Sequence, residues 1–106
     1  MSTLSTHVLD TALGRPAKGI RVTLEQEGNI VGSGTTDADG RVRDLLVRLA
    51  EGNYLLRFSV GDYFSSTGRE SFYPEIVVNF HVAAGGDHYH VPLLLSPFGY
   101  TTYRGS

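Results

Sequence analysis

His88-Tyr-His-Val-Pro-Leu-Leu-Leu-Ser-Pro-Phe-Gly-Tyr-Thr-Thr-Tyr-Arg-Gly-Ser106 closes the chain and decides how the rest is read. It carries two histidines, four aromatics and an apolar run, unlike the loose polar ends that usually trail from a domain. Two strands are expected here, over 88–95 and 100–103, joined by a corner at Ser96-Pro-Phe-Gly99. Side chains alternate along a strand. His88, His90, Pro92 and Leu94 therefore share one face, and Tyr89, Val91, Leu93 and Leu95 the other. The second is a plain core face. The first mixes imidazoles with a leucine and is where function is sought.

Working outward, the same alternation recurs. In 4–10, Leu4, Thr6, Val8 and Asp10 oppose Ser5, His7 and Leu9. In 20–26, Ile20, Val22 and Leu24 oppose Arg21, Thr23 and Glu25. Tyr54, Leu56, Phe58 and Val60 line one face of a further strand, and Ile76, Val78, Phe80 and Val82 alternate with Val77, Asn79, His81 and Ala83. Turns fall at Glu27-Gly-Asn29, where Gly32 and Gly34 just beyond suggest a bulge, and at Asp37-Ala-Asp-Gly40, Glu51-Gly-Asn53 and Ala84-Gly-Gly-Asp87. The stretch 41–49 suits either a strand or an irregular connection. The stretch 61–69 lacks alternation and predicts one short helix starting around Gly61–Asp62. Seven or eight short strands with almost no helical periodicity predict an all-β fold, an antiparallel two-sheet sandwich. Pro92 is the objection, since proline cannot donate to a ladder.

Composition narrows the functional classes. The chain has 106 residues, enough for one domain spanning 1–106. Hydrophobic residues make up 41% and charged residues 19%, the balance of a folded chain. A formal charge of −2 supplies no field for nucleic acid. With no cysteine, disulfides, thiolate nucleophiles and cysteine-ligated zinc are excluded. No apolar run reaches the roughly 18 residues of a membrane span, and the first residues lack a signal-peptide pattern. A cytoplasmic protein is expected.

The chemical groups are few. His81 reads as an ordinary strand histidine. His88 and His90, two apart, root their rings about 7 Å from one another on one face. Such a pair can hold zinc, yet most such pairs bind nothing. Asp37-x-Asp-Gly40 lacks the remaining ligands of a calcium loop and is a turn. No nucleophile elbow or phosphate-binding loop is present, and a nucleophilic Ser106 would have to act beside its own carboxylate. Leu9 shares a face with His7, and Leu94 with His88 and His90. Leucines on the outer face of a sandwich would lie in water unless another subunit covers them. That face is therefore expected to be an interface, with the histidines lining the cleft it encloses.

Ser5-Thr-His-Val-Leu-Asp10, Gly14-Arg-Pro-Ala17, Asp39-Gly-Arg41 and Leu94-Leu-Ser-Pro-Phe-Gly-Tyr-Thr-Thr-Tyr-Arg-Gly-Ser106 together resemble the transthyretin-like family. The resemblance covers essentially the whole chain and is to the family's enzyme branch, the 5-hydroxyisourate hydrolases of urate degradation. The ending Tyr103-Arg-Gly-Ser106 is its most specific part, since the hormone-carrying branch shares Leu94-Leu-Ser-Pro97 without that ending or the histidines. The resemblance implies an eight-stranded sandwich with one short helix. It implies a homotetramer, a dimer of dimers with its sites in a central channel. It also implies that His7, Arg41, His90 and Ser106 are catalytic and that His7, Arg41, Tyr103 and Arg104 bind the substrate, with His88 a lesser member of the motif. No metal or cofactor is implied. A histidine can take a proton from water and return it to the leaving nitrogen. An arginine can hold the developing oxyanion. His7, beside Arg41, is the preferred base, with His90 on the substrate or leaving-group side, although either could serve. The alternatives are a carrier of small aromatic ligands and a zinc hydrolase built on His88 and His90.

Overall fold

The computed structural model describes residues 1–42, 45 and 48–105. In chain order these form β1 (Ser2–Asp10), β2 (Arg15–Pro16), β3 (Arg21–Gln26), β4 (Asn29–Thr35), β5 (Arg48–Leu49), β6 (Gly52–Phe58), α1 (Val60–Ser66), β7 (Ile76–Val82), β8 (His88–Ser96) and β9 (Gly99–Thr102). Two of the strands, β2 and β5, are only two residues long. One sheet runs β2-β1-β8-β9 with β5 also on β1; the other runs β4-β3-β6-β7. The inner faces are those the alternation marked. Leu4, Val8, Tyr89, Val91, Leu93 and Leu95 come from one sheet, and Val22, Leu24, Leu56, Phe58 and Ile76 from the other, all buried. Each such side chain contributes roughly 1.5–3 kcal/mol by leaving water.

The sandwich is rich in antiparallel pairs, with one exception at its centre. β1 and β8 are parallel, from Thr3 opposite His88 to Asp10 opposite Leu95. Hairpin turns force antiparallel pairing only between consecutive strands. These two lie nearly a whole chain apart, so no turn dictates their direction. The other edge of β1 is covered piecemeal. β5 pairs with Ser2 and Thr3, the Val8 N–H donates to the Gly40 carbonyl at 2.8 Å, and β2 pairs with Leu9 and Asp10. A long exposed edge is thereby removed. In the second sheet a register shift between Leu24 and Glu25 places the bulge at Val31, just before Gly32.

Pro92 sits inside β8 without disrupting the fold. The Leu95 carbonyl accepts from Thr11 N–H on the β1 side, and the His90 carbonyl accepts from Gly105 N–H on the β9 side, each at 2.8 Å. Alternation then turns the backbone N of Pro92 toward β9, at the point where the β8–β9 ladder ends with Leu93 opposite Thr102. Gly105 returns opposite His90. The missing donor therefore costs one rung, and its carbonyl still accepts from the Thr102 hydroxyl at 2.8 Å.

The predicted short helix is α1, which begins at Val60, the residue expected to end the preceding strand. It buries Val60, Tyr63 and Phe64, one apolar stripe at helical spacing. A Schellman pair closes it, Gly68 N–H to the Ser65 carbonyl and Arg69 N–H to the Phe64 carbonyl. That closure aims Arg69 back at the end of β1. Its Nη2 reaches Asp10 Oδ2 at 2.6 Å, the Tyr63 hydroxyl donates to the same oxygen at 2.7 Å, and Leu13 N–H donates to Oδ1 at 3.1 Å. Burial alone would raise the pKa of Asp10, but these partners outweigh it and hold the carboxyl below its ordinary 3.8. Asp10→Asn should therefore destabilise the fold by about 2 kcal/mol, the partial exposure of Arg69 tempering the loss. Because the folded pKa lies below the unfolded one, the contribution is complete above the ordinary carboxylate range and disappears as pH falls through the folded value. Urea unfolding across acidic pH should show the wild-type and Asp10→Asn stabilities converging at the acid end.

Candidate functional site

The parallel register of β1 and β8 sets pairs of side chains in rows across the outer face of their sheet. Thr3 lies opposite His88, Ser5 opposite His90, His7 opposite Pro92 and Leu9 opposite Leu94. Two further residues extend the central rows: Arg41 bridges His7 from one side, and Gly105 bridges His90 from the other. His7 and His90 are diagonal neighbours, rooted about 8 Å apart by sheet spacing. His7 and His90 are half-buried, whereas His88 and Arg41 are exposed.

Arg41 reaches this face because of the turn before it. Asp37 Oδ1 accepts from the N–H groups of Asp39 and Arg41 at 2.9 and 3.1 Å. Gly40 takes a positive φ of 74°, and a β-carbon there would strike the Val8 carbonyl and stand 3.2 Å from His7 Cδ2. Only glycine lets the turn lie this close to β1.

The His90 ring is held by two edges. Its Nδ1 is 2.8 Å from Ser5 Oγ. On the Cδ2 edge, a β-carbon at Gly105 would collide with Cδ2 and stand 3.1 Å from Cγ. Nδ1 therefore faces Ser5, and Nε2 is the nitrogen turned away from that hydroxyl. Burial, then the charge of Arg41, then His7 and His88, hold the His90 pKa below its ordinary 6.5. The ring is thus neutral at neutral pH, able to accept a proton at one nitrogen and donate at the other.

The structure brings together His7, Arg41 and His90, with His88 one row beyond. Arg104 it sends elsewhere. The Arg104 guanidinium carbon lies 4.3 Å from the Tyr89 ring centroid, on the core side of β8. There Tyr103 and Arg104 line a cleft of about 410 Å³ with Val78, Phe80, Tyr89 and Val91. Ser106 lies outside the described residues. Among the described residues, no three histidine, aspartate or glutamate side chains converge as metal ligands. Sequence reasoning gave Thr3 and Ser5 no role, and it read Gly40 only as a turn glycine and Gly105 only as part of the terminal motif. Alternation put Ser5 on the His7 face, but only the register shows that Thr3 and Ser5 stand opposite the two histidines.

A sequence model described as the HIUase/Transthyretin family matches residues 4–105. A 5-hydroxyisourate hydrolase of Salmonella typhimurium is 47% identical over 109 residues, covering 97% of this chain and 80% of the relative. Among solved structures, the Klebsiella pneumoniae 5-hydroxyisourate hydrolase superposes with a TM-score of 0.92 at 41% identity, over 100% of this chain and 94% of the other. Sea bream transthyretin in complex with thyroxine superposes with a TM-score of 0.89 at 30% identity, over 96% and 93%.

Gly105 has a φ open to any residue, so the His90 ring is the main obstacle to a side chain there. Gly105→Ala should leave the unfolding free energy within about 1 kcal/mol of wild type while displacing the ring from Ser5. The check is the His90 imidazole resonances in NMR spectra, which should shift while those of His81 stay in place.

Proposed function

This chain belongs to the HIUase/transthyretin family, and from that premise we propose that it is a 5-hydroxyisourate hydrolase acting as a single domain over 1–106. The reaction opens a ring amide of 5-hydroxyisourate to give 2-oxo-4-hydroxy-4-carboxy-5-ureidoimidazoline, in urate degradation and in the cytoplasm. The observation that supports the reading is the placement of His7, Arg41 and His90: backbone pairing sets Arg41 opposite His7, the parallel register sets His90 diagonal to His7, and the charges of Arg41 and His7 both act on the His90 ring.

Water attack on an amide needs a base for the water proton, a counter-charge for the oxyanion and a proton for the leaving nitrogen. His7 takes the water proton. Arg41 offers the paired donors of a guanidinium and holds the ring carbonyl as it becomes an oxyanion. His90 stands on the leaving-group side and supplies the nitrogen with its proton through Nε2. Tyr103, Arg104 and Ser106 would hold substrate or water at the channel wall, for which Tyr103 and Arg104 both have to leave the cleft beside Tyr89. No metal enters these steps.

The working form is a homotetramer, a dimer of dimers enclosing the histidine face in a central channel. Half-buried Leu9 and Leu94 beside an open row of histidines support this, because the apolar pair gains by being covered. Sedimentation at assay concentration should give a tetramer; a monomer with full activity would sink this part of the reading.

With 5-hydroxyisourate generated in situ, the protein should accelerate its ultraviolet decay, with or without chelator. Acceleration lost to chelator would move the chemistry to a metal on His88 and His90. Decay at the spontaneous rate from folded protein would leave a ligand carrier, the reading that the sea bream likeness favours. His7→Asn should lower the rate about 10²-fold or more if it is the base.

A further inference from the structure

Beyond His90 the outward rows continue into a chain of hydrogen-bonding groups that the hydrolytic steps above do not use. His90 Nδ1 is 2.8 Å from Ser5 Oγ, Ser5 Oγ is 2.9 Å from His88 Nε2, and His88 Nδ1 is 2.6 Å from Thr3 Oγ1. The links alternate imidazole and hydroxyl, and each member both accepts and donates. The inner end is half-buried, while His88 and Thr3 at the outer end are exposed to water. The arrangement follows from two i, i+2 pairs, Thr3/Ser5 and His88/His90, set opposite one another by the parallel register.

We propose that Thr3, His88 and Ser5 form a proton relay between solvent and His90. The proposal rests on the hydrolase reading for its use, but not for its existence. Before transfer, His90 carries its proton on Nε2, Ser5 donates to His90 Nδ1, His88 Nε2–H donates to Ser5, and Thr3 donates to His88 Nδ1. As Nε2 gives its proton to the leaving nitrogen, Nδ1 takes the Ser5 proton. Ser5 takes the proton of His88 Nε2, His88 Nδ1 takes that of Thr3, and Thr3 takes one from water. One proton leaves at the site and one enters at the surface. The chain resets when His90 Nε2 takes a proton from water entering the emptied site, the hydroxide so formed takes the proton His7 had accepted, and Thr3 returns one proton to the hydroxide left at the surface.

Such a relay answers a difficulty in the site. Burial, then Arg41, His7 and His88, keep the His90 ring neutral, outweighing a hydrogen bond to the Ser5 backbone that favours its charged form. A neutral imidazole is a poor acid, because giving up its only N–H proton leaves an anion. Simultaneous replacement at Nδ1 removes that barrier, and the ring merely changes tautomer. Ser5 and His88 are thus positioning and proton-transfer partners of His90, without contact to substrate.

The test uses Ser5→Ala, which breaks the chain, Ser5→Thr, which restores a hydroxyl, and His88→Gln, which alters the outer link at an exposed position. In substrate-free protein, long-range ¹⁵N–¹H NMR spectra report the tautomers of His88 and His90. Ser5→Ala and His88→Gln should each change the tautomer balance of His90, while His81→Asn should not. In the hydrolysis assay, Ser5→Ala should lower kcat roughly tenfold or more with KM little changed, a part of the about 10²–10⁴ that general acid catalysis contributes. Ser5→Thr should recover most of that loss. The dependence of kcat on deuterium fraction should be bowed in wild type, as for several protons moving together, and closer to linear in Ser5→Ala. An unchanged His90 tautomer balance, or wild-type kcat in Ser5→Ala, overturns the relay. Failure of the hydrolase reading appears separately, as wild-type protein that does not accelerate the decay, and the NMR arm still decides whether the chain exists.

Discussion

The parallel ladder between β1 and β8 is the constraint on which the rest of the structure depends. Its inner face supplies Leu4, Val8, Tyr89, Val91, Leu93 and Leu95 to the core. Its outer face pairs Thr3 with His88, Ser5 with His90, and His7 with Pro92. A slip of one residue would exchange the two faces of a strand, burying imidazoles and exposing leucines. The packing of the core thus enforces the geometry of the site, and the register is strongly specified because so many large side chains depend on it.

Around that ladder, three small devices bring distant residues into place. The Asp37–Gly40 turn lies against β1 and presents Arg41 beside His7. The chain past Thr102 leaves the ladder at Pro92 and returns at Gly105, whose missing side chain makes room for the His90 ring. The Asp10 carboxylate ties the end of β1 to Tyr63 in α1 and to Arg69 just beyond it. The first two seat imidazoles, and the third anchors the strand that carries one of them. His7 and His90 therefore each lie beside a glycine, an arrangement that trades local side-chain packing for a defined ring position.

The same frame superposes on a hydrolase and on a hormone-binding transthyretin with similar TM-scores, 0.92 and 0.89. The fold alone therefore says little about activity. What separates the two readings is the chemistry on the outer rows of one sheet. Hydroxyls facing imidazoles, with an arginine alongside, can move protons and balance charge, and a carrier of aromatic ligands has no need of either.

The amino-acid sequence by itself determined the strand faces, the turns, the all-β class and the apolar core. These depend on periodicity and on turn chemistry, which act over a few neighbouring residues. Sequence spacing also singled out His88 and His90, two apart on one strand face, and the resemblance to a known family marked His7 and Arg41. Tertiary structure alone decided the parallel direction of β1 against β8, the opposition of Thr3 and Ser5 to the histidines, and the seat of His90 on Gly105. It likewise sent Arg104 to the Tyr89 ring, on the other side of the strand from His90. The physical reason is sequence distance. Residues 3 and 5 meet residues 88 and 90 only because a shared core holds their strands together, and no local preference records which distant strand will be the neighbour or in which register.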